Sequence, residues 1–468
     1  MNIVEYDSLI QCKNEIVKFQ FQNNTTVFFD YDWMLLWKKY FGEKYKEKII
    51  LFYENEELKG FAPLVYFESK GFSKRIFRFY GGNMNGYINI PAKKGYEQVV
   101  YRYLLAHLRK DKKAISIQLE DINDQTIDYE ILHNLARMEK GIERYQYSCP
   151  YNYLDGNWDE FLKRQIPKKK KRNELKAFSK KLYNLGEVSL IRINDSESWG
   201  NYKYLIDQTF YIHKIRFQEV LNTSRYSEPD YKEFYNNLIE RLAKKSKIDL
   251  SILCLDNKVI SFLFAFKDDN RLIDYIPGFH PSFSKISLGH VHLMELFQNL
   301  IEEQEIKIFD FSKGMGIYKQ KWTVSTYNNF LFNFKLNNNL PSNINWFVNN
   351  QIINLKLLGR KKGWNNRIKH ILGSIKNMID NESNIEEIQI VEVVEDLKLD
   401  KNSFIISKFR YEDIANLNMY TQKFIIDEVL MKKEILIWKK KNNLEFIEIV
   451  DDISRKLYQC KDGNLLNE

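Results

Sequence analysis

Residues 277–322 read PGFHPSFSKISLGHVHLMELFQNLIEEQEIKIFDFSKGMGIYKQKW, and this stretch decides the fold. A strand ends at Pro277-Gly278, the loop 284–289 leads directly into a predicted helix at Gly289–Gln304, and a second strand follows at Lys307–Phe311. A strand–loop–helix junction with a glycine and a cation leaves several backbone N–H groups unpaired at the positive end of the helix. The junction therefore predicts a cradle for an anion such as a diphosphate. A loop whose glycine serves only packing is the alternative interpretation.

The end of the second strand carries a residue that packing alone does not explain. Asp310 lies in an otherwise apolar strand, where an isolated carboxylate would be costly. It should therefore have a cationic partner, and Lys313 and Lys319 are the candidates in the sequence. The alternative is that Asp310 caps a loop and that Lys319 is solvated.

Outward from this stretch, the chain divides into three predicted parts, residues 1–155, 156–335 and 336–468. The first two parts share one order of elements: helix, antiparallel strands, a loop with glycine, a second helix and one more strand. Two copies of one unit explain this order, although no residue-level repeat joins them. We therefore predict an α+β fold with two tandem units, each a mixed, mostly antiparallel sheet flanked by helices. The third part is predicted to be a small α/β module, and its sequence indicates no function.

The composition sets limits on the class of protein. A chain of 468 residues with 44% hydrophobic residues holds enough material for two or three packed domains, which excludes disorder of the whole chain. The net charge of +9 suits an anionic ligand such as a phosphate-bearing cofactor. That excess is too small to indicate a specific nucleic-acid partner.

The cysteines and the apolar segments indicate the compartment. The chain has four cysteines far apart, with no C-x-x-C pair, at Cys12, Cys149, Cys254 and Cys460. This spacing predicts four reduced thiols. The first nine residues already hold Glu5 and Asp7, which argues against a signal peptide, and no run of about 18 apolar residues predicts a membrane span. We expect a cytoplasmic protein.

Two basic stretches each have two interpretations. The run Lys163–Lys181 lies in a predicted amphipathic helix, Trp158–Leu185, and such a run is most often a solvated face. Residues 356–376 combine cations with apolar residues and predict at most a weak peripheral contact with anionic lipid. His290 and His292 are two residues apart on a helix and cannot share a face, so we expect no metal site there.

The string D-F-S-K-G-x-G-x-Y-K-x-K-W at residues 310–322 resembles a known signature. It is similar to that of the CelD-like (cellulose-biosynthesis-type) acetyltransferases, a branch of the GNAT superfamily of acyltransferases that is related to the FemAB aminoacyltransferases. The resemblance covers about residues 20–335, with further landmarks in the family's order at Phe29–Trp33, Leu58–Leu64, Phe79–Gly82, His213–Phe217, Tyr275–Phe279 and Ser287–Gly289.

The sequence departs from the family's pattern in the first unit. Where the family often has an Asp-Tyr pair after the first glycine turn, this chain has Asn85-Gly86-Tyr87. The missing carboxylate removes a catalytic candidate from that unit. We therefore expect the reaction in the second GNAT-like unit.

The resemblance implies an acyl-CoA donor, with acetyl-CoA as the first candidate, and no metal. The pyrophosphate would lie on the loop that holds Lys285, Ser287, Leu288 and Gly289. The thioester would lie beside the preceding strand with Tyr275, where backbone N–H groups can stabilise the developing oxyanion.

The resemblance also implies roles for the reacting groups. Asp274 and Asp310 are the carboxylates that would take a proton from the acceptor, directly or through water. Lys319 would stabilise the oxyanion or hold a phosphate, and Tyr318 would protonate the departing thiolate or simply pack. The side chains expected near the acceptor are Arg172, His213, Arg216 and Trp322.

Three functions remain in competition at this point. The first is transfer of an acyl group from acyl-CoA to an amine or hydroxyl of a sugar or amino-sugar, in polysaccharide or cell-surface glycan assembly. The second is FemAB-type transfer of an amino acid from aminoacyl-tRNA, which the lack of a long heptad stretch disfavours. The third is an inert GNAT-fold binding protein.

Overall fold

A single mixed sheet runs through the first two predicted parts of the chain. The computed structural model describes residues 1–68, 75–221, 228–323, 325–337, 340–361, 405–417, 419–431, 434–440, 443–450, 455–461 and 464–466. Within these ranges the sheet has 12 strands in the order β1-β2-β3-β4-β5-β12-β6-β11-β10-β9-β8-β7. The strands are β1 Asn2–Tyr6, β2 Lys46–Glu54, β3 Glu57–Glu68, β4 Arg75–Phe79, β5 Ala114–Asn123, β6 Ile142–Tyr153, β7 Val188–Ile193, β8 Ile248–Leu255, β9 Lys258–Asp268, β10 Arg271–Phe279, β11 Ile308–Asp310 and β12 Ser325–Lys335.

The strand order has a two-fold pattern. Strands β4 and β5 form a parallel pair in the first half, and β10 and β11 form the matching parallel pair in the second. The other neighbours in the sheet are antiparallel. The last strand of each half pairs with the other half. Strand β6, the last of the first half, pairs with β11, and β12, the last of the second half, pairs with β5. The α+β class, with a mixed, mostly antiparallel sheet flanked by helices, is as predicted.

Helices cover both faces of this sheet, and local rules explain several of their ends. Asp30 caps α2 by accepting a hydrogen bond from the Asp32 N–H at 2.9 Å. Asn157 and Glu160 form a capping box at the start of α5. The helices are α1 Lys13–Gln22, α2 Tyr31–Phe41, α3 Glu97–Leu108, α4 Ile127–Met138, α5 Trp158–Gln165, α6 Lys169–Tyr183, α7 Ser196–Tyr202, α8 Ile206–Leu221, α9 Pro229–Ala243, α10 Leu288–Glu303, α11 Ile317–Gln320 and α12 Leu340–Lys361.

The predicted continuous helix Trp158–Leu185 is wrong. The structure has two helices there, α5 and α6, separated by residues 166–168. Pro167 has no N–H to donate, and it disfavours the helical conformation for Ile166 before it. The break turns the chain and forms a wall beside the start of α10.

The two halves share one core. The Phe28 ring lies 5.1 Å from that of Phe266, across the two halves. Asp30 is buried at the same boundary and pairs with Lys245 at 2.8 Å and Lys247 at 2.7 Å. A buried carboxylate is retained only with such partners.

Residues 405–466 form a second, five-stranded antiparallel sheet with two helices, in the part of the chain where a small module of helices and strands was predicted. Its elements are β13 Ile405–Lys408, α13 Tyr411–Ile414, α14 Met419–Leu430, β14 Glu434–Lys440, β15 Asn443–Val450, β16 Arg455–Lys461 and β17 Asn464–Leu466. We call residues 405–466 the C-terminal module. Of the stretch 356–376 with its expected lipid contact, residues 362–376 lie outside the described part. None of the helices in the described ranges is long and apolar enough to span a bilayer.

Candidate active site

The site lies where the parallel pair of the second half separates. Strands β10 and β11 pair only from Arg271 to Ile273, because β11 ends at Asp310. Strand β10 continues to Phe279 with β9 as its neighbour, and a bulge interrupts their register between Asp274 and Ile276. The edge of β10 that β11 leaves open is free to offer backbone groups to a ligand. We call this separation the second fork.

A cavity of about 440 Å³ opens at the second fork. Its walls are Arg216, Phe217, Ser261, Phe262, Leu263, Pro277, Gly278, Phe279, Ser284, Ser287, Gly289, His290, His292, Leu293 and Tyr318. Packing within the protein does not require a glycine at position 289, because an added Cβ would lie 3.5 Å from the Phe279 ring, an ordinary contact distance. Gly278 differs, because a Cβ there would lie 2.3 Å from the Phe262 ring. The missing side chain at Gly289 therefore leaves room in the cavity.

The start of α10 forms the outer end of this cavity. Ser287 adopts the left-handed conformation, with φ 51° and ψ 46°, and its carbonyl accepts from the N–H groups of His290 at 2.8 Å and Val291 at 3.3 Å. The N–H groups of Leu288 and Gly289 have no backbone acceptor in the described chain. No acidic residue lies in the first turn. Two open amides at a positive helix end can hold an anion.

Tyr318 lines the inner end of the cavity, and Asp274, which does not line it, lies behind Tyr318 as its buried hydrogen-bond partner. The Tyr318 hydroxyl donates to Asp274 Oδ2 at 3.3 Å, and Asp274 Oδ1 has no hydrogen-bond partner. Burial raises the pKa of Asp274 to about 6, against the opposite effect of Lys319 and Tyr318. Burial and Asp274 raise the pKa of Tyr318 well above its ordinary value. The carboxyl therefore changes charge near neutral pH, and the phenol stays protonated.

The Asp310 carboxylate accepts hydrogen bonds from three groups of the protein. It accepts from Arg271 Nη1 at 3.1 Å, from the Tyr327 hydroxyl at 2.8 Å and from the Ser312 N–H at 2.7 Å. Burial raises its pKa, while Arg271 acts in the opposite direction. Its cationic partner is thus Arg271, and neither Lys313 nor Lys319 as the sequence suggested. Asp310 does not line the cavity, and it fastens β10, β11 and β12 together at the fork.

Lys319 holds the loop that follows β11. Its ammonium donates to the carbonyls of Phe311 and Lys313, the latter at 3.0 Å. Burial lowers the pKa of Lys319, while Asp274 acts in the opposite direction. Lys319 is buried, with 9% of its surface exposed, and it is not among the residues that line the cavity.

The other predicted donor residues separate into two groups. Ser287 and Gly289 line the cavity, whereas Leu288 points into the core and contributes only its backbone. The Tyr275 hydroxyl donates to the Met84 carbonyl at 2.9 Å, toward the first half of the sheet. Lys285 forms an ion pair with Asp427 of α14 at 2.9 Å. Tyr275 and Lys285 do not line the cavity.

The predicted acceptor residues are also dispersed. Arg216 lines the cavity, with its guanidinium 4.3 Å from the Phe279 ring centre. His213 stacks on Phe217 at 4.2 Å, and burial lowers its pKa to about 4. Trp322 is fully buried and donates from Nε1 to His290 Nδ1 at 2.8 Å. The guanidinium of Arg172 donates to the carbonyls of Ile166 and Pro167, both at 2.6 Å.

The C-terminal module packs against the loop between β10 and α10. Ser282 donates to the Met419 carbonyl at 3.2 Å, and the Phe283 ring lies 5.3 Å from that of Tyr411. Ile286 and Leu288 share a cluster with Ile425 and other residues of the module. The loop that ends at Ser287 is therefore held from outside by the module.

Residues 169–320 match the family model described as acetyltransferase (GNAT) domain. This part of the chain is therefore similar to a GNAT acetyltransferase domain. No curated protein matches the chain. Three similar solved structures are FemX (12% identity, covering 72% of this chain and 97% of that chain, TM-score 0.47), L-PGS from Bacillus licheniformis (10%, 74% and 96%, 0.46) and a tandem GNAT protein from the clavulanic acid biosynthesis pathway (7%, 72% and 100%, 0.36).

The GNAT domain match confirms the prediction of an acyltransferase enzyme. The match includes the second fork, the start of α10 and Tyr318, but ends before Trp322. The described part of the chain has no group of three or more His, Cys, Asp or Glu residues placed to hold a metal ion. The finer CelD-like assignment stays a prediction.

Sequence reasoning missed several residues of the GNAT domain and its surroundings. Arg271 and Tyr327 hold Asp310 from two other strands, and His290 bonds to Trp322 from α10. Arg271 begins a strand and could have been suspected as the partner of Asp310, because a buried carboxylate needs a cation. Tyr327 had no signal, since the strand β12 itself was not predicted.

Proposed function

We propose that the protein transfers an acyl group from acyl-CoA to an amine or hydroxyl of a sugar or amino-sugar acceptor, in the cytoplasm, as a step in polysaccharide or surface-glycan assembly. One observation carries this proposal: the second fork joins two open amides at its outer end to the Asp274–Tyr318 pair at its inner end. A diphosphate and a thioester are the two ends of acyl-CoA that these features would recognise.

The residues of the fork suit such a donor. The amides of Leu288 and Gly289 would bind the diphosphate, and the space beside Gly289 would admit it closely. The open edge of β10 would accept hydrogen bonds from, and donate them to, the amide groups of the pantetheine arm. The same edge, near the bulge at Tyr275, would present an N–H group to the thioester oxygen.

The Asp274–Tyr318 pair would move the proton. Attack by the acceptor forms the new C–N or C–O bond and releases a proton, which Asp274 takes as the C–S bond breaks. Tyr318 then donates its proton to the departing sulfur and regains one from Asp274. Because its pKa is raised, Tyr318 does not persist as a phenolate and acts only as a relay.

A larger cavity, about 940 Å³, supports a sugar-sized acceptor. It lies at the loop after β11 and is lined by Asn83, Arg144, Tyr145, Gln146, Tyr147, Ser148, Lys313, Gly314, Met315, Asn354 and Leu357. Amides, hydroxyls and aromatic rings are side chains that bind the hydroxyl groups and apolar faces of a sugar. Lys313 is held in the wall by Asp121 at 2.9 Å.

The test is release of free thiol from a panel of acyl-CoAs mixed with sugars, amino-sugars and sugar nucleotides. We expect turnover with at least one sugar acceptor, and loss of that turnover in Tyr318→Phe with unchanged melting temperature. A matched control is Tyr103→Phe, which removes an exposed hydroxyl of α3 that lines neither of these cavities and should leave turnover unchanged. Turnover only with aminoacyl-tRNA would show that the donor is not acyl-CoA. Turnover with no sugar in the panel would show that the acceptor is not a sugar.

A further inference from the structure

A second cavity of about 320 Å³ lies beside the start of α10, next to α6. Its lining is Gln165, Ile166, Pro167, Lys168, Lys171, Glu174, Leu175, Phe178, Ser287, His290, Lys321 and Trp322. Ser287 and His290 also line the cavity at the second fork. The two cavities therefore meet at the start of α10, where the amides of Leu288 and Gly289 are open. We call this second space the α6 cavity.

The α6 cavity is positively charged. Three lysines, Lys168, Lys171 and Lys321, line it against one acid, Glu174. Lys168 and Lys171 are exposed, and neither has a carboxylate partner in the described ranges of the chain. An unbalanced set of cations around one hollow attracts an anionic group.

Two hydrogen-bond donors meet in this cavity without an acceptor between them. His290 Nδ1 accepts from the Trp322 Nε1–H at 2.8 Å, which assigns the remaining hydrogen of the neutral ring to Nε2. Burial, with a smaller contribution from Lys321, lowers the pKa of His290 to about 4, so the ring is neutral. His290 Nε2 lies 3.5 Å from the Lys321 ammonium, which can only donate. An anionic oxygen placed between them would satisfy both groups.

The opposite wall suits a flat polar ring. The Gln165 side chain is only 6% exposed, and neither its Nε2 nor its Oε1 has a hydrogen-bond partner in the part of the chain that is described. An unsatisfied buried amide of this kind costs free energy that a ligand can recover. Leu175 and Phe178 supply apolar surface beside it. A nucleobase has both the flat apolar face and the donor and acceptor edge that this wall offers.

We propose that the α6 cavity binds the nucleotide end of the acyl-CoA, with the 3′-phosphate at Lys168, Lys171 and Lys321 and the base toward Gln165 and Phe178. This assignment rests on the proposed function and extends it from the thioester to the nucleotide. The order along the protein matches the order along the donor: Tyr318 at the thioester, the α10 amides at the diphosphate, and the α6 cavity at the nucleotide.

Arg172 has a positioning role in this proposal. Its guanidinium holds the carbonyls of Ile166 and Pro167, where the chain breaks between α5 and α6. The break aims the first turn of α6, with Lys168 and Lys171, at the cavity. Arg172, which was expected near the acceptor, thus stabilises the wall that carries Lys168 and Lys171.

The experiment compares acetyl-CoA with 3′-dephospho-acetyl-CoA, measured as dissociation constants by titration calorimetry on the full chain. The unmodified protein should bind acetyl-CoA about tenfold more tightly, as expected for charged hydrogen bonds made by exposed lysines. In the double variant Lys168→Gln/Lys171→Gln this preference should disappear, while affinity for the dephospho compound stays the same. The control is Lys169→Gln/Lys170→Gln, which removes the same charge from residues that do not line the cavity.

The remaining outcomes overturn the proposal in distinguishable ways. If both double variants lose affinity equally, the lysines act only through the general charge of the helix, and the α6 cavity is not the nucleotide site. If acetyl-CoA binds with no preference over the dephospho compound, the donor assignment stands and the nucleotide lies elsewhere. If neither compound binds, while aminoacyl-tRNA binds and is weakened by Lys168→Gln/Lys171→Gln, the proposed donor itself is wrong.

Discussion

Each half of the sheet contains a fork beside its parallel pair, but a different strand continues past it: β5 in the first half and β10 in the second. In the first fork, β4 pairs with β5 from Arg75 to Arg78, and β5 then continues to Asn123 with β12 as its other neighbour. The chain after β4 turns back over this gap, where the Ile88 N–H donates to the Asp121 carbonyl at 2.9 Å. In the second fork, the chain after β10 leads away into the loop that the C-terminal module holds.

The helices that follow the two forks, α3 and α10, also differ in the charge and the hydrogen bonding of their first turns. Helix α3 begins with Glu97, whose carboxylate accepts from the Gly95 N–H at 2.7 Å. Helix α10 has no acid in its first turn, and the amides of Leu288 and Gly289 stay open. A carboxylate at a helix start repels another anion, whereas open amides attract it. The comparison teaches that the segments after β4 and β10 distinguish the two halves, and under the proposed function they decide which half binds the donor.

The largest expected effect is on kcat, and it distinguishes Asp274 in the second half from Asp128, a buried carboxyl in the first half. Asp274→Asn should lower kcat by about 10²–10⁴-fold, the usual contribution of a general base, with little change in melting temperature. In the first half, Asp128 accepts from the Tyr101 hydroxyl at 2.6 Å and from the Ile90 N–H at 2.7 Å. Asp128→Asn should therefore lower the melting temperature and spare kcat. Equal losses of kcat in both variants would end the distinction between the halves.

The next effect tests the space at the two helix starts. Gly289→Leu fills the cavity and should raise KM for the acyl-CoA by about 10–100-fold, because it blocks donor binding. Gln98 occupies the same second position of α3, and Gln98→Leu should leave KM unchanged. Steady-state kinetics on both variants checks this. An unchanged KM in Gly289→Leu would place the donor outside the second fork.

At pH values below the pKa of Asp274, kcat should change by about tenfold per pH unit. Asp274 must be ionised to accept a proton, and burial raises its pKa to about 6. The value of kcat should therefore fall as the pH drops below about 6 and level off above it. Asp274→Asn should remove this limb, as measured by kcat profiles between pH 5 and 8. A limb that persists in the variant would assign the titration to another group.

The smallest effect concerns the ion pair of the loop with the C-terminal module. Lys285 is half exposed and pairs with Asp427, and such a pair contributes at most about 1 kcal/mol. If Lys285 only holds the module, Lys285→Gln and Asp427→Asn should change KM alike and by less than about fivefold. A large rise in KM confined to Lys285→Gln would instead restore its predicted contact with the diphosphate.

The sequence determined the features that depend on neighbouring residues. The junction at Ser287–Gly289 and the cap at Asp30 follow from rules that act over a few residues. The α+β class and the acyltransferase signature at residues 310–322 were predicted on the same basis. Strands β6 and β12 were not predicted, because Pro150 and several asparagines disfavour a strand by local preference.

The tertiary structure decided the features that depend on distant partners. Asp310 is held by Arg271 and Tyr327 rather than by a nearby lysine, and Asp274 meets a tyrosine 44 residues away. The exchange of β6 and β12 joins the two halves into one sheet, because β12 pairs with both β5 and β6 while β6 also pairs with β11. Local preferences do not set such pairings, because their energy comes from burial and hydrogen bonds that exist only after the chain has closed.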